Sequence, residues 1–357
     1  MWFNKNIKMC DIDLNEFLKS KKISDKISIK TPLVKIENLS KKLNKLVLLK
    51  DETNQIGKSF KIRGVFNSVY NALTNIKEEN TSIITQSTGN HAIATLISIK
   101  FLIKNNLDNK LFNTIIPVIY GTKNINKTKL KIIKFELNEI RKLVKDQKRG
   151  KLDFSFNSYN NACIGREEYI KKNNSIYISH GGKNIFLGHG SIGIEINNQL
   201  NNLKISKDKK ITIILSSGAG GIIGIGASLS LLRNYKNVDI IATQTDDQNA
   251  LIKSLIEKKI IYNDSPRLNF ADGIAVNCPE KYSFEIIKNI IKYGITIPHE
   301  YCLKNTLQNL KKDIQDSCKY NILLGGTTML GFSVIEKHIN LLKDTDIIII
   351  LACEGNL

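Results

Sequence analysis
The sequence predicts an α/β fold with largely parallel sheets. Short apolar runs of strand length alternate with longer runs whose apolar residues recur at helical spacing. Several of the short runs pass straight into small-residue turns and then into a helix, as strand–loop–helix units do. With 357 residues and no internal repeat, the chain is long for one core, and two domains are expected.

Taken in order, residues 1–28 are lysine-rich and weakly patterned, an irregular or helical extension. Residues 46–49 read as a strand. Gly57 then breaks the chain, and Ser59 stands as the N-cap of a helix beginning near Phe60, with Phe66, Val69, Tyr70 and Leu73 on one face. Residues 82–86 read as a strand that runs into Ser87-Thr88-Gly89-Asn90-His91, and 92–102 as the helix that follows. Residues 115–120 and 131–135 read as strands with a lysine-rich helix between them. The stretch 144–162 is polar and unpatterned, a linker or surface loop, and 164–172 and 190–201 read as helices. Strands at 211–215 and 239–244 flank the helix leaving a glycine loop, and 346–352 is the last strand.

Composition excludes several functions. Hydrophobic content of 42% and charged content of 24% are ordinary for a globular protein. The net charge of +20 would suit nucleic acid or an anionic membrane, but the lysines are spread along the whole chain. No basic stripe with interleaved aromatics and no zinc-finger spacing is present, so neither nucleic acid nor membrane is expected as a partner. Residues 211–232 carry no charge and are long enough for a span. Their middle, Ser216-Ser217-Gly218-Ala219-Gly220-Gly221, fits a buried strand, a loop and a buried helix better. Six cysteines form no CxxC pair and have no histidine at metal-ligand spacing, which favours a reducing cytoplasm. No signal-peptide core precedes them, and export is not expected.

Four segments carry candidate chemistry. Lys61 falls in the first turn of its helix, where the dipole repels a cation by roughly 0.3–1 kcal/mol. It reads either as one more solvated lysine or as an amine of depressed pKa, usable as a nucleophile toward an aldehyde. The loop Ser87–His91 reads as an anion cradle at a helix N-terminus or as an ordinary capping turn. The loop 216–222 lets backbone N–H groups turn around a phosphate. It lacks both the GxGxxG dinucleotide fingerprint with its acidic residue and the Gly-Lys-Ser/Thr of a Walker loop, and a plain glycine turn is the alternative. Cys353, at the end of the last strand, is a site thiol or a buried structural cysteine.

The hexapeptide Ser59-Phe60-Lys61-Ile62-Arg63-Gly64 resembles the lysine segment of the fold-type II pyridoxal-phosphate enzymes. The branch it is most similar to holds the threonine/serine dehydratases and serine racemases. Thr31-Pro32-Leu33, Ser40 and Lys50-Asp51-Glu52 match upstream, and the other three segments follow in order, so the resemblance spans about 29–357. It implies a large cofactor-binding domain over 1–79 and 166–357, with a smaller α/β domain inserted at 80–165. It implies pyridoxal phosphate held by Lys61 as a Schiff base, with Phe60 against the cofactor. Gly218, Ala219, Gly220, Gly221 and Ile222 would hold the phosphate, which Ala219 permits only if its φ stays negative. Asn90 would meet the ring hydroxyl oxygen, and Cys353 the pyridine nitrogen. Ser87, Thr88, Gly89 and His91 would take the substrate carboxylate, and the Thr88 hydroxyl stands where some relatives carry a second catalytic group.

A thiol cannot hold a proton on the ring as a carboxylate would, which favours β-elimination. The resemblance therefore implies a threonine/serine ammonia-lyase, cytoplasmic and homodimeric. An amino-acid racemase, a β-replacement synthase and a non-catalytic cofactor-binding relative are the alternatives. Gly188-His189-Gly190-Ser191-Ile192 through Glu195 resembles a segment whose glutamate binds Mg²⁺ or Ca²⁺, here with the Gln199 carbonyl. Asn201 stands where relatives carry an aspartate, which removes a charge from a hard-cation site. Ala271–Val276 matches the dehydratase pattern. One departure is plain: Gly325-Gly326-Thr327-Thr328 replaces a stretch that opens with an acidic residue in relatives.

Overall fold
Runs of Ile, Leu and Val, uncharged throughout at 211–216 and 347–352, build the sheet that carries the site, because a parallel strand covered on both faces is mostly apolar. The computed structural model describes residues 1–9, 12–87, 89–106, 108–263, 271–302, 307–318 and 324–355. Its strands in chain order are β1 (Trp2–Phe3), β2 (Leu33–Lys35), β3 (Leu46–Asp51), β4 (Ser82–Gln86), β5 (Ile116–Thr122), β6 (Lys151–Phe156), β7 (Ser175–Tyr177), β8 (Ile211–Ser216), β9 (Val238–Thr245), β10 (Tyr293–Ile297) and β11 (Ile347–Ala352). They form a sheet of seven, ordered β1-β10-β9-β8-β11-β3-β2, and a sheet of four, ordered β6-β5-β4-β7. The five central strands of the larger sheet are parallel, and β1 and β2 close its edges antiparallel. All pairings in the smaller sheet are parallel.

Alternation along each strand divides the cores. In β11, Ile347, Ile349 and Leu351 join the core that holds Phe17, Phe186 and Phe284. Ile348, Ile350 and Ala352 join the core of the opposite face, with Leu310, Leu330 and Phe332. In the smaller sheet, Ile83 and Ile119 face one core while Ile84, Val118 and Tyr120 face another. The uncharged stretch 211–232 becomes β8, a glycine turn and the buried helix Gly224–Leu232. No helix among the described residues is long and apolar enough to cross a membrane.

Three expectations are corrected. Residues 131–135 are not a strand but lie inside the helix Lys127–Leu143. Its buried positions Ile133, Leu137 and Ile140 follow the helical period, and Phe135 points out with 58% of its surface exposed. The stretch 144–162 is not a plain loop: it contains β6 and the start of the helix Tyr159–Lys172. β6 pairs only with β5, at the sheet edge, and its exposed residues, Lys151 and Ser155, are polar. The boundary expected at 165 therefore cuts that helix, and the four-stranded sheet runs on to Tyr177, whose strand pairs with β4.

The helix expected at 190–201 starts earlier, as Lys183–Asn202. Its glycines are poor helix formers, but packing overrides propensity: a Cβ at Gly193 would meet the Ile225 carbonyl oxygen at 2.1 Å. Within 1–28, β1 and the helix Leu14–Ser24 are ordered, the latter capped by the Asp13 side chain.

Candidate active site
Strands β8, β11 and β3 are parallel neighbours, so their carboxyl ends lie side by side. Each opens into one of the segments singled out in the sequence. Beyond β3 the chain turns through Gly57, with φ of 73°, and extended Ser59 into the helix Lys61–Thr74. The Lys61 N–H donates to Ser59 Oγ at 3.3 Å, so Ser59 caps the helix much as expected. This turn is fastened to the end of β11: Ser59 bridges Glu354, and the Phe60 N–H donates to the Cys353 carbonyl at 3.0 Å. Burial lowers the Lys61 pKa, with Lys129 adding to the effect. Glu354, Cys353 and Asp272 oppose it. Lys61 is thus not one more solvated lysine but an amine within the cleft, 5.4 Å from the centre of the Phe60 ring.

Beyond β8, the loop closes on Gly220 at φ 96°, a conformation that L side chains rarely adopt. Ala219 is not among the residues of positive φ, which meets the condition set on it. The Ser217 hydroxyl is buried with no hydrogen-bond partner among the described residues. The N-terminal end of the helix Gly224–Leu232 follows directly, so free amides and a positive helix end face the same space.

Beyond β4, Ser87, Gly89, Asn90 and His91 lead into the helix Asn90–Lys104, and Thr88 lies outside the described residues. The His91 ring stacks on His180 with centroids 4.0 Å apart. Burial, with help from the His180 and Lys61 charges, pushes His91 well below the usual imidazole range. Burial and Lys61 push His180 down to about 3. Both imidazoles are neutral near pH 7.

These segments line two lobes of one cleft, of about 470 and 430 Å³, which share Lys61, His180, Gly273, Val276 and Glu354. Phe60, Gly218, Ala219, Gly220, Gly221, Ile222 and Cys353 line the first lobe. Ser87, Gly89, Asn90 and His91 line the second. Burial drives the Cys353 thiol pKa up, so it stays protonated.

Sequence reasoning missed Lys129 and Glu354. Lys129 reaches across from its helix to Asp272 at 2.8 Å, at the Gly89 side of the cleft. Glu354 accepts from the Asn90 side-chain amide and, at 3.3 Å, from the Thr327 hydroxyl. Position 325 was the signal: where relatives carry an acid this chain has glycine, and a Cβ there would meet Glu354 Cγ at 2.9 Å.

Glu195, the doubtful Mg²⁺ or Ca²⁺ ligand of the sequence reading, does not line this cleft. Its Oε2 is held by Lys50 Nζ at 2.6 Å and Arg63 Nη2 at 2.9 Å. Gln199 accepts from Lys50, and the Asn201 side chain accepts from Arg233. Two protein cations thus pair with this carboxylate. Among the described residues no group of three or more His, Cys, Asp or Glu could hold a metal.

A lysine of lowered pKa, an amide cradle with an unpartnered buried hydroxyl and a protonated thiol fit an aromatic aldehyde that carries a phosphate. Comparison with known proteins agrees. The chain is 30% identical over 275 residues to the chloroplastic biosynthetic threonine dehydratase 1 of Solanum lycopersicum, covering 76% of this chain and 39% of that one. It is 27% identical over 304 residues to L-threonine dehydratase biosynthetic IlvA of Halalkalibacterium halodurans, covering 85% and 66%. The chain therefore spans less than two thirds of the length of these relatives. The structure of the processed form of threonine deaminase isoform 2 from Solanum lycopersicum superposes with a TM-score of 0.75 at 21% identity, covering 100% of this chain and 93% of that one, which shows a shared fold. The family model described as pyridoxal-phosphate dependent enzyme matches residues 26–102 and 113–353, which include Lys61, the loops at 87–91 and 216–222, and Cys353. The chain belongs to the pyridoxal-phosphate dependent enzymes.

Proposed function
We propose that this protein is an ammonia-lyase that removes the β-hydroxyl and the amine of L-threonine or L-serine, releasing a 2-oxo acid and ammonia. The single observation that carries the reading is Lys61: an amine of lowered pKa, on a rigid turn, between an anion cradle and a second anion-binding loop. When bound, pyridoxal phosphate supplies the aldehyde that receives an amine and the ring that stabilises negative charge at Cα.

The chain's own residues have separable tasks. Lys61 would hold the aldehyde and would serve as general base toward the substrate Cα proton. The amides of Gly218 to Ile222 and the Ser217 hydroxyl would hold the phosphate. Phe60 would pack against the ring, Asn90 would serve its hydroxyl oxygen and Cys353 its nitrogen. Amides of Ser87, Gly89 and His91 would receive the substrate carboxylate, with His91 neutral, and Thr88 stays the second catalytic candidate on the resemblance alone. The thiol at the ring nitrogen limits the electron sink and favours loss of the β-hydroxyl over transamination. The same reading takes the four-stranded sheet as a small inserted domain, the protein as a homodimer and its compartment as the cytoplasm.

The test is a substrate panel of L-serine, L-threonine and 3-hydroxyaspartate, with keto acid and ammonia measured together. Stoichiometric release of both from one hydroxy amino acid supports the reading. Release of neither, with inversion of the substrate measured by chiral chromatography, replaces it with a racemase.

A further inference from the structure
Glu354 is a fully enclosed carboxylate in a cleft with no matched partner for it. Only 6% of its surface is exposed. Its backbone is locked on both sides, by the bridge to Ser59 and by the Gly325 N–H donating to its carbonyl at 3.2 Å. Its side chain rests where two glycines leave room. A Cβ at Gly325 would meet its Cγ at 2.9 Å, and a Cβ at Gly273 would meet its Oε1 at 3.1 Å. The Asn90 amide and the Thr327 hydroxyl both donate to it. Lys61 lines both lobes of the cleft with it and starts the helix whose preceding turn is fastened to it.

We infer that Glu354 is a positioning residue whose carboxylate holds the proton on Lys61 and so sets how readily the cleft captures an aldehyde. Capture needs the free amine. The Lys61 ammonium first passes its proton to the Glu354 carboxylate or to solvent. The neutral nitrogen then bonds to the aldehyde carbon, and the carbonyl oxygen leaves as water. The other titratable groups around the pair are Cys353 on the same strand end, Asp272, Lys129 on the helix Lys127–Leu143, and His91, His180 and His189. Burial, reinforced by Asp272, raises the Glu354 pKa while Lys129 and Lys61 lower it.

Only the consequence for capture rests on the proposed function; protonation itself is measurable without the cofactor. The test is acetylation of Lys61 by acetic anhydride against pH, in the full chain freed of any bound aldehyde. It is read by peptide mass spectrometry with exposed Lys253 as the reference amine. Glu354→Gln leaves burial less opposed, so the Lys61 midpoint falls by at least about one pH unit. Below both midpoints the variant then labels roughly tenfold faster than the parent chain. Glu354→Asp falls between the two. Coincident midpoints in the parent and Glu354→Gln overturn the inference. If Glu354→Gln does not fold, Thr327→Val removes a donor to the carboxylate, and a smaller shift in the same direction supports the inference while none overturns it. A chain that binds pyridoxal phosphate yet shows no shift refutes this inference alone. A chain that shows the shift yet binds no cofactor refutes the proposed function alone.

Discussion

Lys61 and Arg63 are two residues apart, yet they belong to two buried charge clusters built on opposite terms. Around Arg63 the charges match. Its Nε and Nη2 each meet a Glu52 oxygen at 2.8 Å, Nη2 also meets Glu195 at 2.9 Å, and Lys50 meets Glu195 at 2.6 Å. Burial alone would raise the Glu52 pKa, but Arg63 beside it brings it below the usual carboxylate range. Two cations and two anions close on themselves and hold the helix Lys61–Thr74 to β3 and to the helix Lys183–Asn202. Around Lys61 the groups do not close: Lys61 is in no ion pair among the described residues, Glu354 is taken by neutral donors, and the histidines are neutral. The matched cluster positions; the unmatched one keeps its charge available for a guest.

Several substitutions break or sharpen this contrast. Lys61→Ala has the largest effect on chemistry and little on folding. Ammonia release falls by about 10²–10⁴-fold or more, while the urea midpoint holds or rises because a buried ammonium is gone. Arg63→Met is its mirror image. It strips the buried Glu52 of its paired guanidinium while Glu195 keeps Lys50, and urea unfolding should show a loss of about 3–5 kcal/mol. Equal stability in the parent and Arg63→Met would break the comparison.

Gly220→Ala comes next. It forces a side chain into the left-handed region and to within 2.8 Å of Ser283 Cβ. The cost is about 1–3 kcal/mol, and it should appear as weaker retention of the phosphate-bearing cofactor on dialysis.

The pH dependence is smaller per unit. Burial, with Lys61 adding, pushes His189 down to about 3. Between about pH 6.5 and 3 the unfolded chain binds that proton and the folded chain does not. The stability this imidazole contributes is therefore full above its unfolded pKa and drains as pH falls toward 3. The slope is at most about 1.4 kcal/mol per pH unit, and His189→Gln should flatten it in acid denaturation curves. Asp272→Asn is the smallest change. Its bridge to Lys129 is partly exposed on the aspartate side, and thermal melts should move by no more than about 1 kcal/mol.

The sequence revealed the cleft better than its frame. Lys61, the loops at 87–91 and 216–222, and Cys353 are all local patterns. Each joins a strand end to a turn or helix start, so short-range chemistry reports them. The paired partners were not legible, because pairing across the chain leaves no local mark: Glu354 reads as one acid beside a cysteine, and Lys129 as one lysine among many. The pairing of Glu195 with Lys50 and Arg63 was hidden for the same reason, since nothing near it in sequence announces either cation. The helix at 131–135 and the edge strand β6 were lost to ambiguity of period. Lys-Ile-Ile-Lys-Phe suits either element until its burial is seen, and an edge strand carries the polarity of a loop.

The most direct test is to incubate the full chain with pyridoxal phosphate, reduce it with borohydride and map the pyridoxyl group by peptide mass spectrometry. The account predicts one labelled peptide, carrying the modification on Lys61. A label on Lys129 or on surface lysines alone, with Lys61 unmodified, would contradict it.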